Sequence, residues 1–134
     1  MKESNFQLVG KPTVNSILYE TNKNFEFNDE LSLEVTNEIH VIKGINEHLQ
    51  EANVVYKIGI FTSQEFEKVP FKISMEIEGH FKWDEELEKN EVLLENMLKQ
   101  NAPAILYSYV RPLITLITIE ANMPPLVIPL MNFK

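Results

Sequence analysis

Phe71-Lys72-Ile73-Ser74-Met75-Glu76-Ile77-Glu78-Gly79-His80-Phe81-Lys82-Trp83 is the stretch that decides the fold. Phe71, Ile73, Met75, Ile77, Phe81 and Trp83 fall on one parity, with Gly79 in the same series. Lys72, Ser74, Glu76, Glu78, His80 and Lys82 fall on the other. Successive strand side chains point to opposite faces, so this alternation predicts a strand with one dry face and one wet face. Pro70 sits at its start, where a missing N–H is tolerated.

Towards the N-terminus, residues 31–35 (Leu-Ser-Leu-Glu-Val) open a second alternating run that continues through Ile39 and Val41. Residues 54–61 form a third, and an earlier strand is expected within residues 6–19. Turn signals separate them at Asn28-Asp29, Lys43-Gly44 and residues 62–69. Four strands with short connections most simply form an antiparallel sheet.

Towards the C-terminus the period changes. Asp84, Glu85, Glu86 and Glu88 suit the positive end of a helix dipole, and Leu94, Met97 and Leu98 give an apolar stripe. Asn101-Ala102-Pro103 reads as a break and a new cap. A second helix is expected over residues 104–121. Its polar residues Ser108, Arg111, Thr115 and Thr118 form one narrow stripe, and apolar residues cover nearly everything else. A helix packed on one sheet needs an apolar arc of about 100°. This wider arc implies a second apolar partner, another subunit in a chain this short. Pro112 inside the pattern predicts a kink or a tight subunit crossing. In residues 122–134, Pro124, Pro125 and Pro129 forbid helix and predict an extended apolar strip. The expected whole is one α+β domain over 1–134: strands about 6–83, helices about 85–121, then the extended tail.

The 134 residues suffice for one domain with a modest core. A net charge of −8 disfavours nucleic acid and anionic membranes, which recruit clustered Lys and Arg. It suits a protein that exposes apolar surface without self-association. The absence of cysteine excludes disulfides and thiolate metal sites. The opening residues lack the apolar stretch of a secretory signal, and the reading is cytoplasmic. Residues 102–119 are apolar, but Arg111, Pro112 and several hydroxyl groups argue against membrane insertion.

No catalytic, cofactor or metal signature is present. His40, His48 and His80 are scattered. The carboxylates of Glu76, Glu78 and residues 84–86 fit a solvated strand face and a helix start. The glycines are isolated, with no phosphate loop and no nucleophile elbow.

Two elements carry a family resemblance. Asn101-Ala102-Pro103-Ala104-Ile105-Leu106-Tyr107-Ser108-Tyr109-Val110-Arg111, then Met123-Pro124-Pro125-Leu126 and Met131-Asn132-Phe133, resemble the SecB protein-export chaperones. Glu78-Gly79-His80-Phe81 resembles their Gly-Gly-x-Phe stretch. The motif content spans roughly residues 71–133. Earlier residues match in strand pattern and in Phe6-Gln7-Leu8.

The resemblance implies a four-stranded antiparallel sheet with a long helix, paired into a dimer of dimers. It implies non-native polypeptide clients held in apolar grooves. Carried over by position, the crossover-loop aromatic falls at Phe27, the groove-side strand residues at Leu31, Leu33, Phe71, Ile73 and Met75, and the Asn-Phe ending at Phe133. Export chaperones of that family continue into a further helix and an acidic segment that docks the SecA motor, whereas this sequence stops at Lys134. Lys72 and Ser74 stand where they present an apolar and then an acidic residue. Both departures argue against SecA docking and for another task, such as protecting the antitoxin of a toxin–antitoxin pair.

Two other readings compete. Hotdog-fold thioesterases also wrap a sheet on a helix, and Glu95, Asn96 and Asn101 would be the candidate polar groups. A structural oligomer without clients is the third.

Overall fold

The computed structural model describes residues 5–27, 31–44 and 50–133, so the Asn28-Asp29 turn signal and His48 lie outside the described residues. The architecture is α+β: an antiparallel sheet of five strands with a long C-terminal helix on one face.

Strand β5 (Phe71–Trp83) is the centre of the sheet, and its burial alternates as its sequence does. Strand β4 (Glu51–Ile60) lies along one edge, pairing Ala52 with Phe81 and Ile60 with Ile73. Strand β3 (Val35–Lys43) pairs antiparallel with β4 and forms one outer strand. The other edge of β5 carries two strands end to end. These are β1 (Phe6–Leu8), opposite residues 81–83, and β2 (Thr13–Thr21), opposite residues 71–78. The sheet is thus four positions wide, as expected, but holds five strands because its first position is interrupted. Gly10 there has φ +72°, a conformation that side chains disfavour, and Pro12 lacks a donor. A bulge at Asn15 bends β2 further.

The second alternating run enters the ladder later than residue 31. Residues 31–34 precede β3, and Glu34 O accepts from Phe61 N at 3.1 Å. Alternation at Leu31 and Leu33 therefore marks a face of the crossover, not a paired strand.

After β5, Asp84 caps α1 (Glu85–Glu88), accepting from Leu87 N at 2.9 Å. Asn90 caps α2 (Glu91–Asn96) in the same way, accepting from Leu93 N at 3.2 Å. The chain break thus falls at residues 89–90. The break expected at Asn101-Ala102-Pro103 is instead a π turn (Met97–Asn101) that runs directly into α3 (Ala102–Glu120). Asn101 is helical, with φ −74° and ψ −44°, and its side chain makes no cap bond. Ala102 N–H reaches five residues back to Met97 O. This extra residue in the turn accommodates Pro103, which cannot donate.

Helix α3 ends where expected. Asn122 adopts φ +57°, Met123 N bonds Thr118 O at 2.9 Å, and Asn122 N bonds Ile119 O at 3.0 Å. This is a Schellman close, with Asn122 in the left-handed position.

The core lies between the dry face of the sheet and α3. Leu106, Val110 and Ile114 of the helix are fully buried over Tyr56, Ile58, Ile73, Met75, Ile77 and Phe81. Gly79 permits the close approach: a Cβ there would lie 2.9 Å from both Leu106 Cδ2 and Leu8 Cδ1. The opposite face of the sheet carries a polar network. Asn15 Nδ2 donates to Glu76 and Glu78 at 2.8 and 3.0 Å, Asn53 Nδ2 donates to Glu78 at 2.7 Å, and His80 Nδ1 lies 2.6 Å from Asn53 Oδ1.

Candidate functional site

The crossover from β2 to β3 is fastened at both ends by side-chain bonds to backbone. Asn22 is buried; its Nδ2 donates to Phe66 O and Val69 O at 3.1 and 3.0 Å, and its N–H donates to Pro70 O. At the other end the Glu34 carboxylate accepts from Ser63 N at 3.0 Å and Gln64 Nε2 at 2.8 Å. Those bonds hold its pKa below the usual carboxylate value. Between these anchors the crossover presents apolar side chains to solvent. Phe27 is 59% exposed and packs edge-on against Phe25 at 4.8 Å; Leu31 and Leu33 are 40% and 39% exposed. Such exposure costs free energy that burial against another chain recovers, at ~25 cal/mol per Å².

Phe71, Ile73 and Met75 occupy a different environment. They are 5%, 0% and 1% exposed. Phe71 packs against Tyr19 and Phe61 at 5.8 and 5.4 Å. In this conformation they belong to the core and contribute no surface to the crossover. Phe133 is half-buried and meets Tyr56 and Tyr107 edge-on, each at 5.7 Å. The seven residues therefore divide into an exposed crossover set, a buried strand set and the tail aromatic.

The polar stripe of α3 has a role that its sequence pattern left open. Arg111 Nε donates to Ile128 O at 3.0 Å, and Thr115 Oγ1 donates to Leu126 O at 2.7 Å. The buried Thr118 Oγ1 accepts from Leu126 N at 3.0 Å. Tyr107 OH donates to Pro129 O. Spacings of four, four and three place these residues in one row, and the row holds the backbone of the extended tail. Ser108 is exposed and bonds its own helix at Ile105 O. The signal was present in the sequence: a polar row on an apolar helix, followed by a proline-rich strip.

The tail runs antiparallel to α3. Ile128 is fully buried, whereas Val127 and Leu130 are 67% and 83% exposed. Its end reaches β3, where Asn37 Nδ2 lies 3.3 Å from Met131 Sδ. A cavity of about 480 Å³ opens beside it, lined by Asn101, Ala104 and Ile105 of the helix and by Met131 and Phe133 of the tail. Beneath it, Tyr56 is fully buried, and its hydroxyl has no partner among the described residues. Burial raises the phenol pKa of both Tyr56 and Tyr107.

Glu95 is exposed at the surface. It pairs with Lys99 and Lys43 at 3.1 and 3.2 Å, and those partners lower its pKa. Asn101 lines the open cavity from the π turn. No group of three His, Asp or Glu suited to a metal occurs among the described residues. One helix, Glu91–Glu120, is long and apolar enough by length and composition to cross a membrane, but its inner face forms the core against the sheet.

Residues 19–134 match the SecB family, described as preprotein translocase subunit SecB. An uncharacterised Methanocaldococcus jannaschii protein, MJ0357, is 37% identical over 79 residues, which is 58% of this chain and 48% of that protein. The chain thus spans about half the length of the curated relative it matches. Among solved structures, the Mycobacterium tuberculosis SecB-like chaperone Rv1957, in complex with a ChAD peptide from the HigA1 antitoxin, superposes with a TM-score of 0.68. That likeness is one of fold: identity is 14%, over 96% of this chain and 88% of that one. With the family profile covering nearly the whole described fold, the chain belongs to the SecB family.

Proposed function

We propose that this protein is a molecular chaperone that holds non-native polypeptides by their apolar segments and performs no chemistry on them. The observation that carries the reading is the crossover: in a chain of the SecB family, Phe27, Leu31 and Leu33 are each exposed on a segment anchored at both ends. Apolar contact is non-directional, so such a surface selects exposed hydrophobic length over a particular sequence. The net charge of −8 favours clients whose apolar runs are flanked by Lys or Arg, a bias that salt weakens. Phe133 extends the client surface at the tail, and Phe71, Ile73 and Met75 support it from the core. The test is suppression of aggregation of a chemically unfolded protein, followed by light scattering. The native chain suppresses it, and Phe27→Asp with Leu33→Asp abolishes suppression without dissociating the oligomer. Undiminished suppression by that double variant overturns the site.

The working form in this reading is a cytoplasmic homo-oligomer, a dimer of dimers. Tyr109, Pro112, Leu116 and Ile119 make an exposed row along α3, and β2 leaves Val14, Ile17 and Leu18 exposed at the sheet edge. A stable monomer at micromolar concentration in light scattering overturns this assembly. Control of a toxin–antitoxin pair suits the chain better than export does. Lys72 and Ser74 occupy the open sheet face in place of the apolar and acidic pair expected for a motor, and the structural relative holds an antitoxin peptide. Calorimetric titration against SecA is expected to give no low-micromolar binding, and tight binding overturns that preference.

A further inference from the structure

The row Tyr107, Arg111, Thr115 and Thr118 contacts the tail through main-chain atoms: the carbonyls of Leu126, Ile128 and Pro129 and the N–H of Leu126. Every extended polypeptide presents these groups, so the row recognises chain conformation and not side-chain identity. Side chains anchor the tail unevenly: Leu126, Met131 and Phe133 pack against the core only in part. Ile128 is buried, but its neighbour Val127 and Leu130 beyond it are among the most exposed apolar residues. Pro124, Pro125 and Pro129 lack donors, and the tail lies beside β3 without joining the sheet as a strand. Beneath it, the fully buried Tyr56 hydroxyl has no partner among the described residues, an arrangement with a free-energy cost that a better-placed acceptor would remove.

We propose that residues 124–131 are a tethered occupant of a backbone-reading channel on α3, and that an extended segment of a non-native client displaces them and takes over their hydrogen bonds. This rests on the chaperone reading and adds a competitor to it. The channel is closed by the chain's own extended strip when no client is present and opens in proportion to client concentration. Because the competitor is intramolecular, its effective concentration is high, so short or weakly apolar segments fail to enter. The carbonyl acceptors of an incoming strand would also lie within the region where Tyr56 lacks one.

The chain has no cysteine, so a single engineered pair can lock the tail. Asn37→Cys with Met131→Cys replaces two side chains already in contact. The probe is fluorescein-labelled, reduced and carboxymethylated α-lactalbumin, which cannot refold, with binding followed by anisotropy. The reduced variant is expected to bind as the native chain does. The oxidised variant is expected to bind at least tenfold more weakly, with recovery on reduction. In the unmodified protein, saturating probe is expected to accelerate hydrogen exchange at the Leu126 amide severalfold. Equal binding by oxidised and reduced forms, or Leu126 exchange unchanged by probe, overturns the displacement while leaving the chaperone reading intact. Absence of probe binding by the native chain overturns both.

Discussion

Strand β5 and the tail both lie against α3, yet they are held by different forces. β5 is laddered on both edges, and its dry-face side chains are almost fully buried. The tail has one fully buried side chain, Ile128, partly buried contacts from Leu126, Met131 and Phe133, and a row of hydrogen bonds donated or accepted by α3 side chains. Packing of many apolar side chains is cooperative, and removing one is felt through the whole domain. A strip held by a few hydrogen bonds and a few partly buried side chains can leave while the domain stays folded. The first arrangement makes a scaffold and the second makes an exchangeable part.

The largest effect that tests this contrast is in β5. Met75→Ala removes a side chain 1% exposed in the core between the sheet and α3. We expect a loss of about 2–5 kcal/mol in the unfolding free energy. It should appear as a shifted denaturant midpoint in both fluorescence and circular dichroism. A shift confined to one probe would mean that β5 is not part of a single cooperative unit.

Gly79→Ala follows in size. The added methyl would meet Leu106 Cδ2 and Leu8 Cδ1 at 2.9 Å. The Phe81 ring lies only slightly farther, at 3.0 Å, and all three are side-chain atoms, so the helix need not detach. A cost of about 1–3 kcal/mol is expected from overpacking, measured by thermal unfolding. A neutral result would show that α3 rides on the sheet more loosely than the contact with Gly79 implies.

These two residues belong to the part of the fold that was legible in the sequence. Parity along residues 71–83 gave the dry face, including Gly79 within it, because a strand's periodicity is a property of one segment. The rest depended on partners. Leu31 and Leu33 alternate as a strand does, but their neighbour is solvent, so alternation alone could not place the start of β3 at Val35. The π turn at Met97–Asn101 replaced a predicted break because backbone can absorb Pro103 by widening a turn. The polar row of α3 was legible as a stripe without a stated partner, and most of it faces the tail's main chain. A helix pattern distinguishes polar from apolar faces, but not water from main chain as the polar partner. In the candidate site, Phe27 emerged exposed, whereas Phe71, Ile73 and Met75 shared the core's pattern and proved to lie in it.

Thr115→Val tests the tail's side of the contrast. It deletes the bond to Leu126 O and keeps the side-chain volume. About 1 kcal/mol is expected, the typical net worth of one such bond. The loss should register as faster proteolysis within residues 124–133, with the global denaturant midpoint nearly unchanged. An equal shift in both measurements would make the tail part of the scaffold, and the comparison with β5 would fail.

The smallest effect is a pH response at the crossover, which is fastened as the tail is, by side chain to backbone. The Glu34 carboxylate accepts from Ser63 N and Gln64 Nε2, and these bonds lower its pKa. A carboxylate whose folded pKa is depressed contributes stability above its unfolded value and loses it as pH falls through the folded value. Neutral pH therefore keeps the crossover fastened, and only acid below the ordinary carboxylate range releases it. Because Glu34 lies at the surface and is only partly buried, its effect on global unfolding should be small. It should be visible locally, as a titration of the Ser63 amide resonance with a midpoint below that of an unperturbed glutamate. Glu34→Gln should abolish that titration and leave β5 unaffected. A Ser63 midpoint at the ordinary glutamate value would mean the bonds do not persist in solution, and that Leu31 and Leu33 sit on a freer segment than the tail.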